Sequence, residues 1–355
     1  MKFQICLKYV TQDHLLYLVI IGFQSVQEYL ALHVLLCLIP AFFLAGAIAS
    51  LFSKESVLKY FGAGTPKYIS YSVAAVSGCL LAVCSCTVLP LFAGIYKKGA
   101  GIGPATTFLF SAPAINILAI VYTAKILGYD IGAARAVGAI LLSIIIGLIM
   151  HAAYEKNNVV HNGIKTFNSE EHAYTTQLFL LLLTILVVPE IIKSWTALAL
   201  VEIPLIVFTV YLSFKWYSEE ERASWMQETW FLVKMIAPLL LVGVFFAGIL
   251  VELLPSEIVV KYVGSGNLLS YFIASVAAAL MYFSTLTEVP IISALTLLGM
   301  TKGPALSMLL AGPTLSLPSM IVICRIMGVQ KGLSYTGLVV IMAMISGIVF
   351  DHYVL

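Results

Sequence analysis

Charge is the scarcest ingredient of this chain. Lys and Arg number 19 and Asp and Glu 17, together 10% of 355 residues, against about 25% in soluble domains. These charges gather between long apolar runs rather than along alternate helix faces, which excludes an ordinary soluble globule. The formal balance is +2 and no basic stripe occurs, so no nucleic-acid partner is expected. Cysteine is sparse too: the six thiols, at 6, 37, 79, 84, 86 and 324, do not form the spaced set of a secreted disulfide framework. No G-x-x-x-x-G-K-[ST], H-E-x-x-H or C-x-x-C occurs, which argues against P-loop nucleotide hydrolysis, a zinc protease of that type and disulfide exchange. The six histidines, at 14, 33, 151, 161, 172 and 352, form no ligand cluster. The start MKFQICLKYVTQDH lacks the basic-then-apolar order of a cleavable leader. Neither a cofactor nor an enzymatic activity is expected.

What the chain has is apolar length. Hydrophobic residues are 61% of it and the mean hydropathy is +1.04. A helix needs about 20 apolar residues to cross a hydrocarbon core roughly 30 Å thick. Candidate segments run over 29–52, 69–96, 104–124, 133–153, 177–193, 196–214, 229–253, 268–298, 304–324 and 333–354. The fold class expected is all-α integral membrane: a polytopic bundle of about 8–10 membrane segments, multi-pass in the plasma (inner) membrane, with the lipid bilayer and a small-molecule solute as partners. Polar stretches at 154–176 and 215–228 read as extramembrane loops.

Two segments are interrupted, 69–96 at CSCTVLP and 268–298 at STLTEVP. Proline removes a backbone donor, and in lipid that loss is tolerable only where the freed backbone faces protein or water. The interruptions correspond. Setting residue i against i+200 aligns Ser70 with Ser270, Tyr71 with Tyr271, Thr87 with Thr287 and Pro90 with Pro290. Gly103-Pro104-Ala105 then meets Gly303-Pro304-Ala305, Pro113 meets Pro313, and Gly128 and Gly147 meet Gly328 and Gly347. Three matched prolines in a chain with 13 are hard to ascribe to composition, so an internal duplication is expected. The implied organisation is an N-terminal segment over 1–28, a first membrane half over 29–153, polar loops with two linking transmembrane helices over 154–228, and a second half over 229–355. Interrupted helices, crossing or re-entrant, then meet at the centre, which is the pattern of a secondary transporter. Parallel halves follow if the interrupted segments cross and inverted halves if they are re-entrant; the Lys/Arg distribution leans to the inverted case.

The chemistry gathers at the interruptions. Residues i and i+2 of a helix project about 200° apart, so Cys84 and Cys86 converge only if 84–90 is unwound. Two sulfurs select soft species such as Cu(I), Zn(II) or trivalent arsenic. The other half supplies Ser284, Thr285, Thr287 and Glu288 where the first has Cys84, Ser85, Thr87 and Val88. A carboxylate at mid-bilayer costs roughly 2.5–3.5 kcal/mol and faces a cavity or carries a proton or ion; alternatively Glu288 caps the half-helix before Pro290. Glu202, in ALVEIPLIV, is a weaker second acid. Around Pro113 and Pro313, Ser111, Asn116, Thr314 and Ser316 offer polar groups, with Asn116 a substrate contact. Lys125 and Arg325 read as snorkelling anchors. Cys6, Cys37, Cys79 and Cys324 read as small buried hydrophobes.

The stretches CSCTVLPLFAGIYKKGAGIGPATTFLFSAPAIN and TEVPIISALTLLGMTKGPALSMLLAGPTLS resemble the ArsP-like permease family, and the likeness covers nearly all of 30–354. Better-studied members export trivalent organoarsenicals, and some relatives are assigned to copper or zinc efflux. The resemblance implies a permease in which Cys84 and Cys86 are thiol ligands for arsenic or a soft metal. The central loop lacks the His- or Cys-rich tract of a metal exporter. Three other readings stay open: a permease for a small anion or metabolite with incidental thiols, a membrane thiol-redox protein, and a non-transporting scaffold.

Overall fold

The apolar runs fold as helices throughout the computed structural model, which describes residues 16–27, 30, 38–51, 61–62, 65–81, 85–154, 174–192, 194–253, 262, 267–281, 288–297 and 299–353. Cys6, Cys37, Cys84, Ser284, Thr285, Thr287 and most of the 154–176 loop lie outside the described residues. In chain order the helices are α1 (Leu16–Gln27), α2 (Ile39–Ser50), α3 (Lys67–Leu81), α4 (Ser85–Lys97), α5 (Ile102–Ala114), α6 (Ile117–Leu127) and α7 (Tyr129–Tyr154). They continue as α8 (Thr175–Ile191), α9 (Trp195–Trp216), α10 (Glu219–Leu253), α11 (Leu268–Leu280), α12 (Glu288–Leu297), α13 (Lys302–Ala311), α14 (Leu317–Met327) and α15 (Val329–Tyr353). There is no strand among the described residues.

Residues 129–154, 196–216, 219–249 and 329–353 form helices that are each long and apolar enough to cross a bilayer; α5 and α6, bent by 49° at their junction, make a fifth candidate. Large apolar side chains are exposed along many of the helices. On α9, Leu200, Ile203, Val207 and Phe214 are 61–77% exposed, which suits contact with acyl chains. The chain is a multi-pass helical membrane protein.

Local chemistry sets the helix ends. The three glutamates Glu219, Glu220 and Glu221 open α10, where negative charge complements the helix dipole. Ser194 caps α9, and Ser316 with Ser319 forms a capping box on α14. Gly128 and Gly328 both take positive φ, 113° and 92°, in the turns before α7 and α15, a conformation that costs glycine nothing. Helix starts recur at the same spacing: 102 and 302, 117 and 317, 129 and 329.

At the centre lie α5 and α13. Every residue of α5 is buried, as is α13 from Gly303 to Ala311, so these helices need no polar outer face. Gly147 of α7 lies against α5, and a Cβ there would come 2.8 Å from the Gly103 carbonyl; at Gly347 of α15 it would come 2.5 Å from that of Gly303. Such close approach is how helices pack without a hydrophobic drive between them.

Side-chain contacts fix the direction of each element. The Tyr71 hydroxyl, near the start of α3, donates to the Gly147 carbonyl at 3.3 Å and lies beside Gly103 at the start of α5. Ser111, further along α5, donates to the Ala74 carbonyl at 3.2 Å. Thus α3 and α5 run side by side in one direction. Since α5 follows directly on α4, the end of α4 is level with the start of α3, and the two helices enter and leave on the same side. In the second half the Tyr271 hydroxyl donates to Asp351 Oδ2 at 2.7 Å, and Gly303 packs on Gly347 and Asp351, repeating the arrangement for α11, α12 and α13.

The halves point in opposite directions. Tyr154, at the end of α7, hydrogen-bonds with the Ser334 hydroxyl at 2.6 Å, in the first turns of α15. Lys302, which opens α13, pairs with Asp130 at 2.6 Å, at the start of α7. So α7 and α15 are antiparallel, and the start of α5 lies at one face while its counterpart α13 starts at the other. Of the two arrangements left open by the sequence, these contacts fit the inverted one, with α3 and α4, and likewise α11 and α12, entering and leaving on one side.

The four prolines do not all act as breaks. Pro90 lies within α4, so the expectation that 84–90 is unwound is corrected: the helix is formed from Ser85 onward. A proline there removes one bond, to the Cys86 carbonyl, and the rest of the helix is held by its neighbours. Pro290 is the third residue of α12, where its missing N–H would have been unpaired anyway. Pro113 ends α5 just before the 49° bend, and Pro313 follows the end of α13.

The inverted arrangement gives a direct expectation. In a cysteine-free chain, Tyr129→Cys and Val329→Cys, at equivalent exposed positions, should react with a membrane-impermeant maleimide from opposite faces of oriented vesicles. Labelling of both from one face would contradict it.

Candidate functional site

The two re-entrant helices start deep in the molecule. α4 has 13 residues and α12 has 10, so at 1.5 Å per residue their first turns lie about 20 Å and about 15 Å from the faces at which they end. Both N-termini therefore point toward the middle, where their partial positive charges favour an anion. Cys86 and Thr87 stand in the first turn of α4, and Glu288 is the first residue of α12. Each helix touches both halves: α4 packs on α2 and α5 of its own half and on α14 of the other, and α12 on α13 of its own half and on α6 of the other.

Glu288 is 1% exposed and has a partner that the sequence reading missed. Nη2 of Arg135, the seventh residue of α7 and itself 0% exposed, lies 2.5 Å from Glu288 Oε1. Nη1 of Arg135 donates to Thr123 Oγ1 at 2.8 Å, and Thr123 donates on to the Ala119 carbonyl at 2.7 Å. Thr123 and Arg135 come from the first half and Glu288 from the second, so the pair ties the two halves together. The tie is incompletely bonded: Nε of Arg135 and Oε2 of Glu288 have no hydrogen-bond partner.

The positions 200 residues away are different. Arg135 corresponds to Tyr335 and Glu288 to Val88, both fully buried. The second corner carries no charge, so this architecture can be packed without an ion pair.

The remaining expected residues divide. Thr87 and Val88 are buried in the first turns of α4. Asn116 is buried at the bend, and its Oδ1 accepts from the Ala119 N–H at 3.3 Å, so it caps α6 as Ser316 caps α14; that local task accounts for it without a substrate. Ser111 and Thr314 bond to backbone carbonyls. Glu202 is 7% exposed with Oε1 lacking a partner, but α9 packs on α8 and α10, apart from α7 and α12. Cys324 is a free, half-buried thiol against Gly332. The hydroxyl positions 284, 285 and 287, and Cys84, fall outside the described residues. Among the described residues no group of three His, Cys, Asp or Glu could hold a metal ion.

Arg135 was legible in one respect. It is the only Lys or Arg between Lys125 and Lys156, and a buried Glu288 requires a counter-charge.

Inverted halves, re-entrant helices with their N-termini at the centre and a buried charge pair between the halves define a membrane-transport architecture. The chain belongs to the ArsP_1 family of predicted permeases, whose model matches residues 20–352. It is 47% identical over 339 residues, 91% of this chain and 93% of the relative, to UPF0718 protein MJ0584 of Methanocaldococcus jannaschii. It is 23% identical over 268 residues, 75% of this chain and 62% of the relative, to UPF0718 protein YraQ of Escherichia coli K12. No solved structure matches.

Breaking the pair on one side should be costly. Glu288→Val leaves a buried guanidinium unpaired and should destabilise by about 3–5 kcal/mol, read as a fall in the thermal unfolding midpoint in detergent. Glu288→Val with Arg135→Met should recover most of that loss. A single variant as stable as the parent would show that the pair is not formed.

Proposed function

We propose that this permease is a secondary transporter that exports a small thiophilic solute, a trivalent organoarsenical or a soft metal ion, by alternating access between two inverted, duplicated halves. Cys84 and Cys86 would hold the cargo, with Thr87, Ser284, Thr285 and Thr287 around it, and Glu288 would carry a coupling proton. The observation that supports this most is that both re-entrant helices start inside the molecule. The first turn of α4 carries Cys86 and that of α12 carries Glu288, two positions out of register in the 200-residue spacing, so a thiol and a titratable group stand at the starts of corresponding helices. The recurrence of helix starts and positive-φ glycines at a spacing of 200 supports descent of the halves from one unit.

Coupling follows from charge balance. Arg135 stays cationic, and protonation of Glu288 would dissolve the tie between the halves, letting them rearrange. Ordering that step by cargo release would drive export with inward proton movement. A second reading, a permease for a small anion with incidental thiols, is favoured by the buried Arg135.

The two separate in everted vesicles or proteoliposomes. Phenylarsenite accumulation driven by a pH gradient should disappear in Cys84→Ser/Cys86→Ser. In Glu288→Gln, exchange of labelled for unlabelled cargo should persist while accumulation against a gradient is lost. Undiminished accumulation in the cysteine variant would overturn the thiophile reading.

A further inference from the structure

We propose that the centre of the molecule is an anion site whose occupant trades places with the Glu288 carboxylate. When Glu288 takes a proton and leaves Arg135, a singly charged oxyanion group of carboxylate size enters against the guanidinium, so the loaded site holds one proton and one anion. The inference rests on reading the pair as part of the transport site, and not on the thiols.

Three observations carry it. First, the pair is not what packing alone would keep. A buried ion pair retained for the fold has its donors and acceptors satisfied, because a half-satisfied one is worse than an apolar core. Here Nε of Arg135 and Oε2 of Glu288 lack hydrogen bonds although both residues are buried. Second, the positions 200 residues away are Tyr335 and Val88, both buried and uncharged, so the other half packs these places without the charges. Third, α12 begins at this point. Once the Glu288 side chain withdraws, the locus has a guanidinium fork with unused N–H groups and a helix N-terminus beside it, two features that bind oxyanions.

The class of ligand follows from what it replaces. Arg135 cannot be left uncompensated in a buried site, and Thr123 is neutral, so the entering group brings one negative charge. It fills the space of one carboxylate, which favours a planar head group over a tetrahedral dianion. The other titratable groups nearby do not alter the balance. Tyr122 and Lys125 stand on α6 and Lys302 on α13, both packed against α12; Lys302 is engaged by Asp130, and of the charged groups only Arg135 is within ion-pair distance of Glu288 among the described residues.

The test uses the purified full chain in detergent, with formate and acetate as probes and chloride and sulfate as controls. Thermal stabilisation reads binding, and a pH indicator in weakly buffered solution reads proton uptake. Formate and acetate should bind with uptake of about one proton per anion, and their affinity should fall about tenfold per pH unit on the alkaline side. Glu288→Gln should bind the same probes without proton uptake and without that pH dependence. Arg135→Lys should weaken binding and Arg135→Gln abolish it; should the latter fail to fold, the comparison of wild type with Glu288→Gln decides the matter. Absence of formate and acetate binding in both of those proteins, or binding by the wild type without proton uptake, overturns the proposal. Proton-linked binding in detergent with no solute flux in proteoliposomes would leave the anion site standing and overturn the permease reading instead.

Discussion

A helix that ends inside a bilayer leaves up to four backbone N–H groups without partners, and lipid supplies none. The rest of this structure answers to that constraint. α4 and α12 both begin deep in the molecule, so each must be enclosed by protein, and both halves contribute: α2, α5 and α14 pack on α4, and α6 and α13 on α12. Pro290, in the first turn of α12, removes one of the orphan donors outright. The bend between α5 and α6 lets the central helices pass around these ends, with Asn116 capping the second piece.

Enclosure creates the site. Two helix N-termini turned inward make the centre electropositive, and Arg135 adds a full charge to it. A single carboxylate, Glu288, balances that field where α12 starts, and it joins the halves because its partner belongs to the other one. The symmetry of the backbone is not matched by symmetry of chemistry. Arg135 and Glu288 pair between the halves, whereas the positions 200 residues away are Tyr335 and Val88, with Cys86 in the same first turn of α4 as Val88. A scaffold with one charged corner can hold different energies in two arrangements of its halves.

Much of this was legible in the sequence. Scarce charge and long apolar runs identified a membrane bundle, and the paired prolines with the G-P-A stretches gave the repeat spacing. Glu288 stood out because an acid in such a segment is expensive. The inversion was legible only as a lean in the Lys/Arg distribution, because it depends on which ends are level, and contacts such as Tyr154 with Ser334 and Lys302 with Asp130 reveal that. Pro90 misled because a proline reads as a break, whereas α4 is formed on both sides of it. Arg135 escaped notice because its partner lies 153 residues later in the sequence, a separation that local patterns do not bridge.

The central claim is that the inner ends of the re-entrant helices line a path open alternately to the two faces. A chain whose only cysteine is Cys86 tests this most directly, by reaction with a membrane-impermeant methanethiosulfonate added to one side or the other of oriented proteoliposomes. The account predicts reaction from both sides, with the favoured side changing when the pH gradient is reversed. Reaction from neither side, or from one side whatever the gradient, would contradict it.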